Sequence, residues 1–470
     1  MQSETEIAYA TAHSLQDAYR AGRLNPVDAA QALLDRIERA EPHLNAFVHV
    51  DPPGTLAMAE AAAKRWRDGA PLGPLDGVPI TIKDLVGTAG WPLRRGSAGL
   101  PADNIPAEDA PCVARLREAG AVFLGKTATP DAGCKIVTRS RVHGETANPY
   151  DLSKTPGGSS GGASAALATG LGPLAVGTDG AGSIRIPAAY CNVTGIKPSF
   201  GRVPSFPPSL FMPHAVIGPM GRCARDVAQM LDIMAGPEPR DPFAMPAPSR
   251  AAETVTNGVA GMRIAVTHDF GMQHPDLPDD VLAAVETAAE ALTQAGAEVF
   301  RQDPDWPLDP AVPFLTLWDA TYAGYVAALP EEQRDGVDPT IQTIAARGNK
   351  VDVLDYHAAL GGRLALTAAA HALFREVDLM IGPVNAVHPY ALGSDWPAGK
   401  TDEWSWSPFT YVWNMTSNAA ASVPAGFTET GLPIGVQIVG ANGGEAAVLA
   451  CAHSINETLQ FSQNRPTGFN

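Results

Sequence analysis

Residues 155–188 read TPGGSSGGASAALATGLGPLAVGTDGAGSIRIPA. Two serine-bearing glycine loops, one around Ser159 and one around Ser183, flank a small apolar stretch. ASAALATGLGPLAVG is long enough for a short buried helix followed by a strand. Glycine inside regular structure costs roughly 0.5–1 kcal/mol relative to alanine, so this density needs a reason. The reason is backbone that must approach a ligand or turn its N–H groups to one point. A flexible linker would lack Asp179, Arg185 and Pro187, and would not sit between apolar segments.

Outward from this core the chain alternates helices and strands. Residues 5–68 read as N-terminal helices: VDAAQALLDRIERAEP places Val27, Leu33 and Ile37 on one side before Pro42, which is expected to stop it. DGVPITIKDLV is short and β-branched, a buried strand leading into a site loop. APCVARLREAGAVFLGK reads as helix, Gly120 stop and strand. GMRIAV, DDVLAAVETAAEALTQAG and AEVF repeat that shape at 261–300, and ARDVAQMLDIMAG at 224–236 is an amphipathic helix. This alternation predicts an α/β fold: one α/β/α domain over residues 1–470, with a mixed, mostly parallel central sheet and helices on both faces. The proline-rich stretch 237–258 reads as an exposed connection. It does not read as a boundary between domains, because the strands DLMIGP and LPIGVQIVG beyond it need a sheet to join.

Composition bounds the partners. The chain has 470 residues, 45% hydrophobic and 18% charged, which is globular. A formal charge of −17 gives no basic surface for nucleic acid or an anionic membrane. The five cysteines are scattered without a CxxC pair, which excludes a disulfide framework and a cysteine-based zinc site. No signal peptide is visible, and no apolar run approaches the ~18–20 residues of a membrane span. The expectation is a cytoplasmic protein that needs no metal or organic cofactor, with homodimerisation left open.

Several motifs fail on inspection. GAVFLGKT at 120–127 matches a phosphate loop, but its Ala-Val-Phe-Leu interior wants to be a strand. His143 and Glu145 lack the downstream cysteines of a zinc deaminase. Residues 157–161 satisfy G-x-S-x-G, so an α/β-hydrolase esterase with Ser159 as nucleophile is an alternative, with His388 or His453 as base. That elbow should directly follow a strand, whereas DLSKTP is a turn. A non-catalytic scaffold is a second alternative.

The constellation as a whole resembles the amidase signature family, most densely over residues 73–202. GVPITIKD carries the family's lysine as Lys83, GGSSGG its bridging serine as Ser159, and GTDGAGSIRIPA its nucleophile as Ser183. CNVTGIKPSFGRVP and SVPAGF…GLPIGVQIVG also look like the family. Ala181 departs from it, since most members have glycine there, but alanine still offers its N–H. The resemblance implies a hydrolase of amide C–N bonds and a cis Gly158–Ser159 peptide. The family's tRNA-dependent amidotransferase members usually carry Gln after the signature arginine, where Ile186 stands here.

The chemistry fits the residues. Amide hydrolysis needs a nucleophile, a base, an acid for the leaving nitrogen and a stabiliser for the oxyanion. Ser183 attacks, Ser159 shuttles the proton, and the backbone N–H groups of Gly180, Ala181, Gly182 and Ser183 converge on the oxyanion. Lys83 must be neutral to act as base, so burial has to depress its pKa. The competing reading is an ion pair with Asp84; the serine loops favour the base. Ser160, Thr178 and Asp179 support the loops, and Arg185 pairs with a buried carboxylate. For the substrate pocket, Phe206, Leu210, Phe211 and Met212 form one candidate wall. The cluster Trp404, Trp406, Phe409, Tyr411 and Trp413 forms another, with ordinary core packing as the competing reading of both. An apolar pocket would suit a small-molecule amide, such as an anilide, lactam or fatty amide, or a carbamate (urethane).

Overall fold

The computed structural model describes residues 3–209, 211, 213–273, 276–402 and 404–469. Among them the strands are β1 (Phe47–Val50), β2 (Pro79–Lys83), β3 (Val122–Thr127), β4 (Arg139–Ser140), β5 (Gly144–Glu145), β6 (Leu174–Asp179), β7 (Thr194–Lys197), β8 (Val216–Gly221), β9 (Arg263–Val266), β10 (Glu298–Arg301), β11 (Leu379–Pro383), β12 (Ala420–Phe427) and β13 (Pro433–Gly440). β4 and β5 form a separate ribbon, and the other strands join in one 11-stranded sheet, ordered β1-β3-β2-β6-β8-β7-β12-β13-β11-β9-β10. The sheet is mixed. Pairing is parallel across β3–β2–β6 and across β11–β9–β10. It is antiparallel from β6 through β8, β7, β12 and β13 to β11, and between β1 and β3.

Strand alternation sorts the core into two layers, because successive side chains point to opposite faces. Ile80, Ile82, Leu174, Val176, Val436 and Ile438 pack with helices Ala224–Met234, Asp279–Gln294 and Glu445–Leu459. Ala175 packs instead with Ala163 and Leu167 of helix Gly161–Ala168. Ala265, Met380 and Val439 pack with Phe314, Trp318 and Tyr322 of helix Ala311–Ala328. These are the helix-covered faces of an α/β/α architecture.

Local details follow the sequence with one correction. The helix expected to stop at Pro42 runs from Pro26 to Leu44 with Pro42 inside it, and it ends at Asn45 in the left-handed conformation (φ 50°). A proline in the last turn removes only one backbone donor, and the N–H of Asn45 still reaches the Glu41 carbonyl at 2.9 Å. The glycine stop at Gly120 has φ +81°, as a residue that ends a helix and turns into a strand requires. GAVFLGKT is strand β3 over most of its length, which removes the phosphate-loop match.

The sheet joins both halves of the chain: β7 pairs with β12 from Ala420↔Lys197 to Ser422↔Gly195. Cleavage within 237–258 should therefore nick the protein without releasing a stable 1–240 fragment. Limited proteolysis followed by gel filtration under native conditions checks this. A separate, folded N-terminal piece would contradict it.

Candidate active site

β2 and β6 are parallel neighbours, with Ile82 opposite Val176, so they present their carboxyl ends together. Such ends, where the chain leaves the sheet, are where open α/β sheets bind ligands. Lys83 closes β2, and Thr178 and Asp179 close β6. The loop Gly157–Ser160 and the turn Gly180–Ser183 lie over those ends, each followed by a helix, Gly161–Ala168 and Arg185–Tyr190.

Lys83 is fully buried. Its Nζ lies 2.8 Å from Ser159 Oγ, 2.8 Å from Ser160 Oγ and 2.9 Å from Thr178 Oγ1. Burial pushes its pKa well below the ordinary lysine value, and the charge of Asp179 opposes this only in part. The ion pair with Asp84 does not form. Asp84 pairs with Lys126 at 3.1 Å and accepts the Gly96 N–H at 3.2 Å. A neutral amine has two N–H groups and one lone pair. The Ser160 hydroxyl donates to the Thr178 carbonyl at 3.2 Å, so it accepts from Lys83. In the neutral form of Lys83 that leaves its lone pair open to the Ser159 hydroxyl proton. The peptide Gly158–Ser159 is cis.

The second loop is built on Asp179. Its Oδ1 accepts the Gly182 N–H at 2.7 Å, and its Oδ2 the Ile184 N–H at 3.1 Å. Arg185 closes a fork on it, Nε to Oδ2 at 3.0 Å and an Nη to Oδ1 at 2.9 Å. Burial would raise this carboxyl, but the charge and hydrogen bonds of Arg185 outweigh burial and hold it well below the usual carboxylate range. Arg185 itself donates to Thr410 O, Gln437 Oε1 and Asn414 Oδ1. Asn414 also donates to Asp179, and Thr410 Oγ1 to Ala181 O at 2.5 Å.

This network corrects one expected oxyanion donor. The Gly182 N–H is spent on Asp179 and cannot face a ligand. Gly182 is required for space: its φ is +130°, and a Cβ would sit 2.5 Å from Thr410 Oγ1. Among the described residues, the N–H groups of Gly180, Ala181 and Ser183 have no protein acceptor. Ser183 itself is half-buried.

Ser159 and Ser183 open on a common cavity of about 160 Å³, lined also by Leu85, Val86, Arg95, Phe211, Trp318, Tyr322 and Tyr325. An apolar cavity of about 150 Å³ holds a benzene ring. Of the expected wall residues, Phe211 is in place, with ring centroids 5.3 Å from Trp318 and 4.7 Å from Tyr322. Leu210 and Met212 lie outside the described residues. The other expected walls pack elsewhere. Phe206 sits under Arg240, whose guanidinium is 4.6 Å from its ring. Trp413 is buried against Phe270 and Trp306. Trp404 stands behind Trp318, and Tyr411 stacks on Phe314. Trp406 packs on Tyr390, and Phe409 on Phe270. The residues missed from sequence are Trp318, Tyr322 and Tyr325, at i, i+4 and i+7 of helix Ala311–Ala328. That spacing was the available signal.

The esterase alternative lacks its geometry. Ser159 is preceded by turns and not by a strand. His388 approaches Asp280, His453 approaches Glu457, and neither lines the cavity.

A buried lysine of lowered pKa wired to a serine, beside a second serine on a turn of unused N–H groups, is the equipment of a serine-dependent acyl hydrolase. The family follows from comparison. The chain belongs to the amidase family, whose model, described as "Amidase", matches residues 28–449. It is 35% identical over 473 residues to an acylamidase of Rhodococcus erythropolis, covering 99% of this chain and 98% of that one. It is 32% identical over 491 residues to one component of the glutamyl-tRNA(Gln) amidotransferase of Chloroflexus aggregans, covering 98% and 99%. The solved structure of a bacterial aryl acylamidase of the amidase signature family superposes with a TM-score of 0.89 at 27% identity, covering 97% and 98%. The protein is an amidase, hydrolysing amide C–N bonds. No helix among the described residues is long and apolar enough to cross a membrane.

The electrostatics can be checked at two points. If neutral Lys83 is the base, kcat/KM should rise with pH through a pKa well below that of free lysine and then level off. Burial and Arg185 also push Lys197 down to about 7, so the variant Lys197→Met separates the two: the rising limb should persist in it. Loss of that limb in Lys197→Met would reassign it. Secondly, Arg185→Met leaves the Asp179 carboxylate buried without its cation, which should cost about 3–5 kcal/mol of stability in denaturant melts.

Proposed function

We propose that this amidase cleaves small aryl or alkyl amides through an acyl-enzyme on Ser183. The observation that carries the reading is the Lys83 Nζ, 2.8 Å from Ser159 Oγ and without a carboxylate partner among the described residues. Ser183 Oγ bonds to the carbonyl carbon as its proton passes to Ser159 Oγ. The Ser159 proton passes in turn to Lys83. The oxyanion forms beside the free N–H groups of Gly180, Ala181 and Ser183; one such donor is typically worth ~10²–10³ in rate. Collapse breaks the C–N bond, and the leaving nitrogen takes a proton returned from Lys83 through Ser159. Water then attacks the ester by the same relay and releases the acid and Ser183.

The cavity supports an aryl group next to the scissile bond, since its walls are Phe211, Trp318, Tyr322 and Tyr325 and its volume is about 160 Å³. A carbamate would meet the same groups. Ile186 fills the position after Arg185 with a buried apolar side chain, and a charge of −17 offers tRNA no basic face, so free hydrolysis is favoured over a tRNA-dependent role. Five free cysteines favour the cytoplasm.

Ser183→Ala and Lys83→Ala should each lower kcat by roughly 10⁴–10⁶, with Ser159→Ala somewhat milder because water can bridge the gap imperfectly. Mass spectrometry of enzyme quenched during anilide turnover should find the acyl group on Ser183. An adduct on Ser159, or substantial activity in Ser183→Ala, would overturn the mechanism. Trp318→Ala should raise KM for anilides more than for acetamide. Equal effects on both would remove Trp318 from substrate contact.

A further inference from the structure

The cavity's polar lining is one-sided. Apart from its hydroxyl-bearing residues, the polar residues that line it are Arg95 and Trp318, and no aspartate, glutamate or histidine is among them. Arg95 is the one charged side chain among the lining residues. Among the described residues no carboxylate pairs with its guanidinium. Of the acids nearby, Asp84 holds Lys126 and the Gly96 N–H, and Asp131 accepts the Asp338 N–H through Oδ2, its Oδ1 having no hydrogen-bond partner among the described residues. Trp318 is only 7% exposed, and its indole Nε1–H has no partner among the described residues.

The backbone fixes Arg95 where it is. It has a positive φ of 52°, and its carbonyl accepts the Ala132 N–H at 2.9 Å. The next residue, Gly96, is clamped so closely that a Cβ would lie 2.4 Å from the Thr129 carbonyl oxygen. Ala132 and Gly133, on the other side of that contact, line the cavity too. Arg95 is thus tied to the same cavity as Ser159 and Ser183. A net charge of −17 repels anions from the molecule at large, and Arg95 supplies a positive charge among the residues that line the cavity.

We propose that Arg95 is a specificity residue, and that the preferred substrates are amides carrying a carboxylate remote from the scissile bond, with an aryl or alkyl spacer lying against Phe211, Trp318 and Tyr322. A guanidinium takes a carboxylate through two parallel hydrogen bonds, stronger than neutral ones. The unpartnered indole N–H of Trp318 is a further donor in the same cavity. The proposal rests on the reading of Ser183 as nucleophile and adds the chemistry of the substrate's far end.

The test uses matched pairs in which a carboxylate is exchanged for a neutral primary amide. One series places it on the acyl side (succinanilic, glutaranilic and adipanilic acids). The other places it on the amine side (4-acetamidobenzoate). In at least one series the carboxylate should be favoured in kcat/KM by on the order of tenfold, mainly through KM. Arg95→Gln should bring the ratio close to one while the neutral anilides are still cleaved, and Arg95→Lys should keep part of it. Equal rates in both series, or a preference that survives Arg95→Gln, would show a solvated surface arginine only and overturn the proposal. A second readout needs no turnover: benzoate should protect the native enzyme from fluorophosphonate labelling better than benzamide, and Arg95→Gln should abolish the difference. Labelling at Ser183 with no benzoate advantage sinks this proposal alone. Absence of labelling at Ser183 sinks the nucleophile assignment as well.

Discussion

The carboxylate of Asp179 is the constraint on which the site depends. A charge buried this deeply must be satisfied by hydrogen bonds and a counter-ion, or the fold loses several kcal/mol. Its donors are the N–H groups of the very turn that carries Ser183. Gly182 and Ile184 point inward to the carboxylate. The alternate groups, on Ala181 and Ser183, are left without a protein acceptor among the described residues. Satisfying the charge and turning the free donors outward are thus one event. Arg185 extends the constraint to Thr410, Asn414 and Gln437, so the last part of the chain holds the turn made by the middle.

The lysines obey the same rule of paired charges. Lys83 and Asp84 are sequence neighbours, and their partners differ completely. Asp84 is taken by Lys126 from the adjacent strand, which leaves Lys83 among hydroxyl groups. Hydroxyl oxygens solvate an ammonium less well than water and carry no charge to hold its proton, so burial outweighs the charge of Asp179 and lowers the lysine pKa. Had Lys126 been apolar, Asp84 would have been an unpaired buried acid beside the base. The pair Asp84–Lys126 occupies the acid next to Lys83 in sequence without touching Ser159 or Ser183.

Much of this was legible in the sequence. GVPITIKD, GGSSGG and GTDGAGSIRIPA each carry a chemical group on a backbone pattern of glycine and β-branched residues, and local pattern is what sequence reveals. The helix–glycine–strand units at 111–127 and 279–301 were legible for the same reason. The antiparallel run β8–β7–β12–β13 was not, because alternation of helix and strand reports parallel units and is silent where strands return without a helix. The pocket walls were harder. Any aromatic cluster near a site can be wall or core, and Trp413 and Phe409 are core. Gly182 reads as an oxyanion donor in the sequence because composition shows that an N–H exists but not which way it points. Trp318, Tyr322 and Tyr325 stand far from the glycine loops in sequence, and only tertiary packing places them over Ser183.

Reaction and selectivity consequently rest on different physics. The floor of the cavity is directional: Asp179 holds it through hydrogen bonds whose geometry fails if any partner moves by a fraction of an ångström. The walls are held by ring contacts, Phe211 on Tyr322 and Trp318 on Phe314, which tolerate changes of angle and depth. A substitution in helix Ala311–Ala328 can reshape the space above Ser183 while leaving the fork between Arg185 and Asp179 undisturbed, since none of its residues shares a hydrogen bond with that fork. Arg95 stands between the two regimes. Its backbone is clamped through Gly96 to Asp84, on the directional side, while the residue itself lines the cavity. On the readings proposed above, a charge placed this way adds selectivity for a substrate's far end at a fixed position without entering the proposed relay from Ser183 through Ser159 to Lys83.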